Sequence, residues 1–187
     1  MNELYFVSGN IHKYLELDSI LKAKSTDINL KFFQQNILEI QEETIQKIAV
    51  EKSKSAYNIV KKPIIIEDDG LFIKSLNGFP GQYSSYVFRT IGNKGILKLL
   101  KGQEDRKAFF KAVIVYNNGV DNKIFTGQSN GVISTIIASG GWGYDPIFIP
   151  HKKNVTFATL SHMKKKNQFS HRRIALDKLV KWLKNTK

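Results

Sequence analysis

The sequence predicts an α/β fold, a mixed β-sheet flanked by helices. Three observations point there. Up to about residue 100, short apolar runs alternate with longer amphipathic ones. From Phe109 to Ala138, short apolar runs follow one another with turn residues between them. One last amphipathic segment closes the chain. Strand–helix units supply parallel strands and a meander supplies antiparallel ones, so the two together make a mixed sheet with helices on its faces.

Each element has its own signal. Leu4–Ser8 is a short apolar run that ends in Gly9-Asn10, hence a strand and then a loop. His12 to about Lys24 carries Leu15, Ile20 and Leu21 among polar residues and reads as a helix. Leu30–Phe33 is a second strand. Thr44 to Val60 is helical, with Ile45, Ile48, Ala49, Ala56 and Val60 on a loose apolar face. Pro63-Ile64-Ile65-Ile66 is a buried strand, and Leu71–Ile73 either continues it or opens the next. Gly81–Leu100 is mainly helical, with a break near Gly92. Phe109–Tyr116, Asn122–Gly127 and Val132–Ala138 read as successive antiparallel strands, the first two joined by a hairpin turn at Asn117-Asn118-Gly119. Ser170 fits the N-cap of a final helix, where Leu176, Leu179, Val180 and Leu183 stand at i, i+3, i+4 and i+7.

Composition narrows the classes. A chain of 187 residues is one domain of ordinary size, able to bury roughly 70% of its unfolded surface. Hydrophobic residues at 42% and aromatics at 11% exclude disorder. Absence of cysteine excludes disulfides, thiolate metal sites and thiol catalysis. No apolar run approaches membrane-spanning length, and the N-terminus reads as a first strand rather than a signal peptide. The expectation is a soluble cytoplasmic protein. A net charge of +13 favours an anionic partner. Most of it, a net +10, lies between His151 and Lys187.

Four segments could carry chemistry. Ser8-Gly9-Asn10-Ile11-His12-Lys13 runs from a strand into a helix, where backbone N–H groups and the helix dipole favour an anion. It lacks the Walker A pattern, and an ordinary strand–helix turn explains it as well. Glu67-Asp68-Asp69-Gly70 follows a buried apolar run. Three acids there are costly without a cation and suit a hard metal such as Mg²⁺; a solvated Asp-Gly turn is the alternative. Gly140 to Pro146 surrounds Trp142 and Tyr144 with glycines, presenting a ring on which a nucleobase can stack, unless both rings belong to the core. Lys164 to Arg173 sets cations at a helix start, against the dipole, which suggests a bound anion or simply a solvated basic face.

Taken together, the segments resemble the inosine triphosphate pyrophosphatase family, the XTP/dITP diphosphatases. Ser8-Gly9-Asn10, Lys13 and Glu16 match its opening T/S-G-N-x-x-K-x-x-E. Glu67 to Leu71 resembles its acidic strand end, and Leu76 to Ser84 its L-x-G-x-P-G-x-Y-S. Phe125, Gly127, Gly131 and Ile133, then Gly141 to Phe148, then Lys166-Asn167, Ser170-His171-Arg172 and Ala175 complete the series in order. The resemblance implies an elongated mixed sheet, two lobes around a central nucleotide-binding cleft, a homodimer and Mg²⁺ dependence. It implies hydrolysis of ITP, dITP and XTP to the monophosphate and pyrophosphate. Residue by residue, Ser8, Gly9, Asn10 and Lys13 resemble the triphosphate turn, Lys13 also counting as catalytic. Asp68 resembles the catalytic, metal-binding aspartate. Glu39 resembles the second metal ligand, with Glu43 as the other alignment. Lys47 resembles a phosphate-contacting lysine, and Asp69 lies beside the phosphates. Trp142, Gly143, Tyr144 and Asp145 resemble the base pocket, and Lys166, His171 and Arg172 the groups that close on substrate. The chain departs from the family at Asp69, usually Ser or Thr, and at Thr159, usually Glu. The acidic cluster and the lack of any RRM, KH or helix-turn-helix pattern argue against a nucleic-acid-binding module.

Overall fold

A computed structural model describes residues 2–38 and 40–186. Its strands form one six-stranded sheet in the order β2-β1-β3-β4-β5-β6. Parallel and antiparallel pairs both occur, so the sheet is mixed. The contacts divide the chain into two compact units. Unit 1 holds Met1–Asp68, Ala112–Gly127 and Arg172–Lys187, and unit 2 holds Asp69–Lys111 and Gln128–His171.

In unit 1, β1 (Asn2–Ser8) pairs in parallel with β2 (Ile28–Gln34), from Asn2 opposite Ile28 to Ser8 opposite Gln34. It also pairs in parallel with the start of β3 (Ile64–Ile73). Helix α1 (Ile11–Ala23) lies between β1 and β2 in sequence, and α2 (Ile45–Val60) between β2 and β3. Both helices have side-chain caps, Asn10 for α1 and Thr44 for α2. The core takes Leu4 and Phe6 from β1, Leu17, Ile20 and Leu21 from α1, and Leu176 and Leu179 from α6 (His171–Asn185). The last stripe was legible in the periodicity. Leu15 is a correction: it is exposed, because Leu17, Ile20 and Leu21 define the buried face and a residue two positions before Leu17 is rotated about 200° from it.

In unit 2, β3 ends at Ile73, so the two apolar runs around the acids are one strand. Then come α3 (Ser84–Thr90) and α4 (Gly92–Leu99), separated at Gly92, whose φ of 58° a helix interior does not use. β4 (Lys107–Asn117) leads through the Asn117–Asp121 turn of unit 1 into β5 (Asn122–Ile133). Short β6 (Phe148–Pro150) pairs antiparallel with the end of β5, and α5 (Phe157–His162) follows. The core is Leu71, Ile73, Ile96, Phe110, Phe148 and Phe157 with their neighbours.

The expected strands 122–127 and 132–138 are a second correction. Residues 122–133 form one strand, and 134–138 leave the sheet. Gly131, between the two expected strands, allows close approach: a Cβ would fall 2.1 Å from the Ile149 carbonyl oxygen of β6. After it, the Ser134 hydroxyl accepts from the Ile136 N–H and turns the chain away.

Candidate functional site

The β1–α1 turn of unit 1 is built by its own side chains. Ser8 Oγ accepts from the Asn10 N–H at 3.0 Å, and Asn10 Oδ1 accepts from the His12 N–H at 3.0 Å. Gly9 is exposed, and a Cβ on it would collide with the Asn36 side chain. The capped helix carries Lys13 in its first turn and Glu16 three residues on, so both project from one face.

Those two residues meet a buried ion-pair network. Lys13 Nζ is 2.9 Å from Glu67 Oε2. Arg172, in the first turn of α6, places Nε 3.1 Å from Glu67 Oε1, and its Nη1 donates to Glu16 Oε2 at 3.2 Å. Two cations thus balance two carboxylates. The carboxylates also offset the cost of a guanidinium at a helix N-terminus. Asp68, next on β3, lies 3.7 Å from Lys52 Nζ, and both side chains are largely buried.

Lys47 goes elsewhere. It is exposed, with Glu42 and Glu43 at 3.5 and 3.6 Å. Those carboxylates, Glu42 foremost, raise its pKa. Glu43 is exposed as well. Glu39 lies outside the described residues. Lys52 was missed in the sequence, although a signal existed: it stands seven, four and three residues after Ile45, Ile48 and Ala49, on the buried face of α2.

Unit 2 groups the other predicted residues. Lys166 and Asp145, both buried, form an ion pair at 2.8 Å. The Lys166 ammonium is also 5.4 Å from the centre of the Trp142 ring, a cation–π distance. Trp142 is half-buried. Tyr144 is a core residue: its ring packs edge-on against Phe88 and its hydroxyl donates to the Ser84 carbonyl at 3.0 Å. Burial pushes its pKa well above the usual phenol value. The Gly143 carbonyl accepts from Asn93 Nδ2 at 3.0 Å. His171 is buried, stacks on Phe110 with ring centres 4.7 Å apart, and places Nε2 3.5 Å from Asp69 Oδ2. Thr159 stands at the third position of α5, its N–H donating to the capping Thr156 hydroxyl at 3.3 Å.

Fixed lysines and an arginine beside strand-borne carboxylates are the groups a polyphosphate site uses, cations for the anion and hard oxygen donors for a metal. The chain belongs to the Ham1 family, whose model matches residues 4–182. It is 46% identical over 180 residues to the dITP/XTP pyrophosphatase of Korarchaeum cryptofilum, covering 96% of this chain and 95% of that protein. It is 43% identical to the Methanopyrus kandleri protein of the same name, over 98% of this chain and 97% of that one. Among solved structures, the Staphylococcus aureus Ham1 protein matches with a TM-score of 0.84 at 30% identity, each chain covered completely.

Proposed function

We propose that this protein hydrolyses the triphosphates of deaminated purines, ITP, dITP and XTP, to the monophosphate and pyrophosphate. The observation that carries the reading is near-full-length identity of 46% to a dITP/XTP pyrophosphatase. A homodimer working in the cytoplasm on the nucleotide pool is part of the proposal.

A triphosphate brings about four negative charges. Lys13 and Lys52 bind its oxygens, Lys52 taking the role first considered for Lys47, with the Ser8–Asn10 turn contributing backbone N–H groups. Glu67, Asp69 and His171 bring ligand atoms within 4.8 Å of one another, a group that could hold a metal ion, and Asp68 stands between the two acids on β3. Asp68, joined by Glu39, would hold Mg²⁺, which when bound neutralises phosphate charge and polarises the P–O bonds. Water attacks the α-phosphorus and its proton passes to a carboxylate of the Asp68–Asp69 pair. The bond from that phosphorus to the bridging oxygen breaks, and pyrophosphate leaves.

Base choice follows from donors and acceptors. Hypoxanthine and xanthine present a carbonyl at C6, and adenine presents an amino donor. His171 and Arg172 offer donors, so adenine would set donor against donor. Trp142 stacks on any purine and contributes affinity. Assaying pyrophosphate release from ITP, dITP, XTP and ATP tests the reading. Cleavage of the first three should exceed that of ATP by about 10²-fold or more. Equal rates, or orthophosphate as product, would overturn it.

A further inference from the structure

A second pocket lies wholly within unit 2, apart from every residue assigned above. Along β4, Ala108 and Phe110 enter the core, so Lys107 and Phe109 take the other face of the sheet. Ile133 on β5 and Phe148 on β6 are core, leaving Val132 and Ile149 to join Phe109 on that face. There they line a cavity of about 650 Å³, within the range of small-molecule sites. Its floor is apolar, and the Phe109 ring is fixed by stacking on Phe72 at 4.9 Å. Asn77 and Asn130 also line it.

The rim is cationic. Lys74, Lys107, His151, Lys152 and Lys153 all line the cavity, and no carboxylate does among the described residues. Asp105 lies outside it, 3.8 Å from Lys74, and Lys153 rests over the Phe169 ring. An apolar floor with an aromatic ring, and a rim of lysines with no carboxylate in the lining, suit a flat aromatic body bearing a phosphate. A second copy of the chain suits it poorly. A two-fold contact would bring this rim against its own copy in a molecule already at +13.

We propose that this pocket is a second ligand site that binds a nucleoside monophosphate without metal. The claim stands independently of the proposed hydrolysis. The test is calorimetric titration of the full chain with IMP and with AMP in EDTA, together with photolabelling by 8-azido-AMP and peptide mapping. The companion variant is Lys107→Glu/Lys152→Glu, whose pyrophosphate release from ITP is followed in the same preparation. The expected result is IMP binding in EDTA and label on peptides containing residues 107–109 or 149–153. The variant should weaken the second site at least tenfold while keeping the wild-type rate on ITP. Any of four results would overturn the proposal. These are no nucleotide binding in EDTA, label confined to other peptides, unchanged affinity in the variant, or displacement of the nucleotide by a short single-stranded RNA that binds more tightly. A variant whose only defect is loss of a dimer would do the same.

Discussion

The Arg172 guanidinium and the Glu67 carboxylate form an ion pair at 3.1 Å, with side chains only 2% and 0% exposed. Glu67 also faces Lys13 at 2.9 Å, so one carboxylate ties the first helix of the chain to the last. Taking such charges out of water is costly, and mutual pairing offsets that cost only while every member is present. The network therefore couples folding of unit 1 to the arrangement of the groups proposed to bind phosphate.

Removing Glu67 should expose that dependence. Glu67→Ala takes the partner from Lys13 and leaves the buried Arg172 with Glu16 alone, and stability should fall by about 3 kcal/mol, read from urea unfolding. A loss below about 1 kcal/mol would mean that Lys13 and Arg172 escape to water and that the network is not what holds them.

Lys52 and Lys47 give a paired test of the phosphate assignment. Lys52 is largely buried beside Asp68, and Lys47 is exposed beside two glutamates. Lys52→Ala should lower kcat/KM for ITP by about 10²-fold or more, the scale of losing one fixed cation at developing charge. Lys47→Ala should leave it within about threefold, as an exposed screened charge does. The reverse order would return the role to Lys47.

The same two lysines mark how far the sequence could be read. The strand–helix order, the acidic run and the buried stripe of α6 follow from local periodicity, which a single chain displays. The proposal of Lys52 over Lys47 depends on helical phase, which the sequence displays, whereas Lys47 rested on its resemblance to a phosphate-contacting lysine of the family. Glu67 and Glu16 owe their weight to partners 105 and 156 positions away in Arg172, and no local pattern announces such pairs. Gly131 lies inside one strand, where β6 approaches its backbone closely, and a glycine kept for close approach cannot be told from a turn glycine in a single sequence. Tyr144 lay in a glycine-rich loop with Trp142, and only packing separates the core ring from the half-exposed one.

Thr159 departs from the family's usual glutamate at the third position of α5, under the Thr156 cap. That is the position at which a glutamate completes a capping box by reaching back to the N-cap N–H. Thr159→Glu should therefore stabilise the protein by about 0.5–1 kcal/mol in thermal or urea unfolding, with turnover of ITP unchanged. A change in turnover without one in stability would assign the position a part in catalysis instead.

Gly70 follows the acidic run, and a Cβ there would fall 2.3 Å from the Gly81 carbonyl oxygen. Backbone cannot yield as a flexible side chain can. Gly70→Ala should cost about 1–3 kcal/mol through overpacking. Gly102, where a Cβ meets nothing within 4 Å, is the control for bulk alone, although its φ of 79° carries its own strain. Circular dichroism melts of the two variants compare them directly: Gly70→Ala losing no stability would show that β3 and the Gly81 segment can part without penalty.

Tyr144 sets an alkaline limit on stability. Burial raises its folded pKa above the unfolded value near 10, so the folded state holds its proton more tightly than the unfolded state does. The resulting stabilisation is fully present below about pH 10 and is lost as pH climbs from there towards the folded pKa, because the unfolded chain ionises first. Stability should accordingly fall with rising pH above about 10, and Tyr144→Phe should flatten that slope. At neutral pH the same substitution removes the hydrogen bond to the Ser84 carbonyl and should cost about 1 kcal/mol. Tyr116, whose pKa burial also raises, stays in both proteins and leaves part of the slope in place. Denaturant unfolding of the two proteins between pH 8 and pH 11 reads both effects, and identical slopes would place the Tyr144 hydroxyl in contact with water.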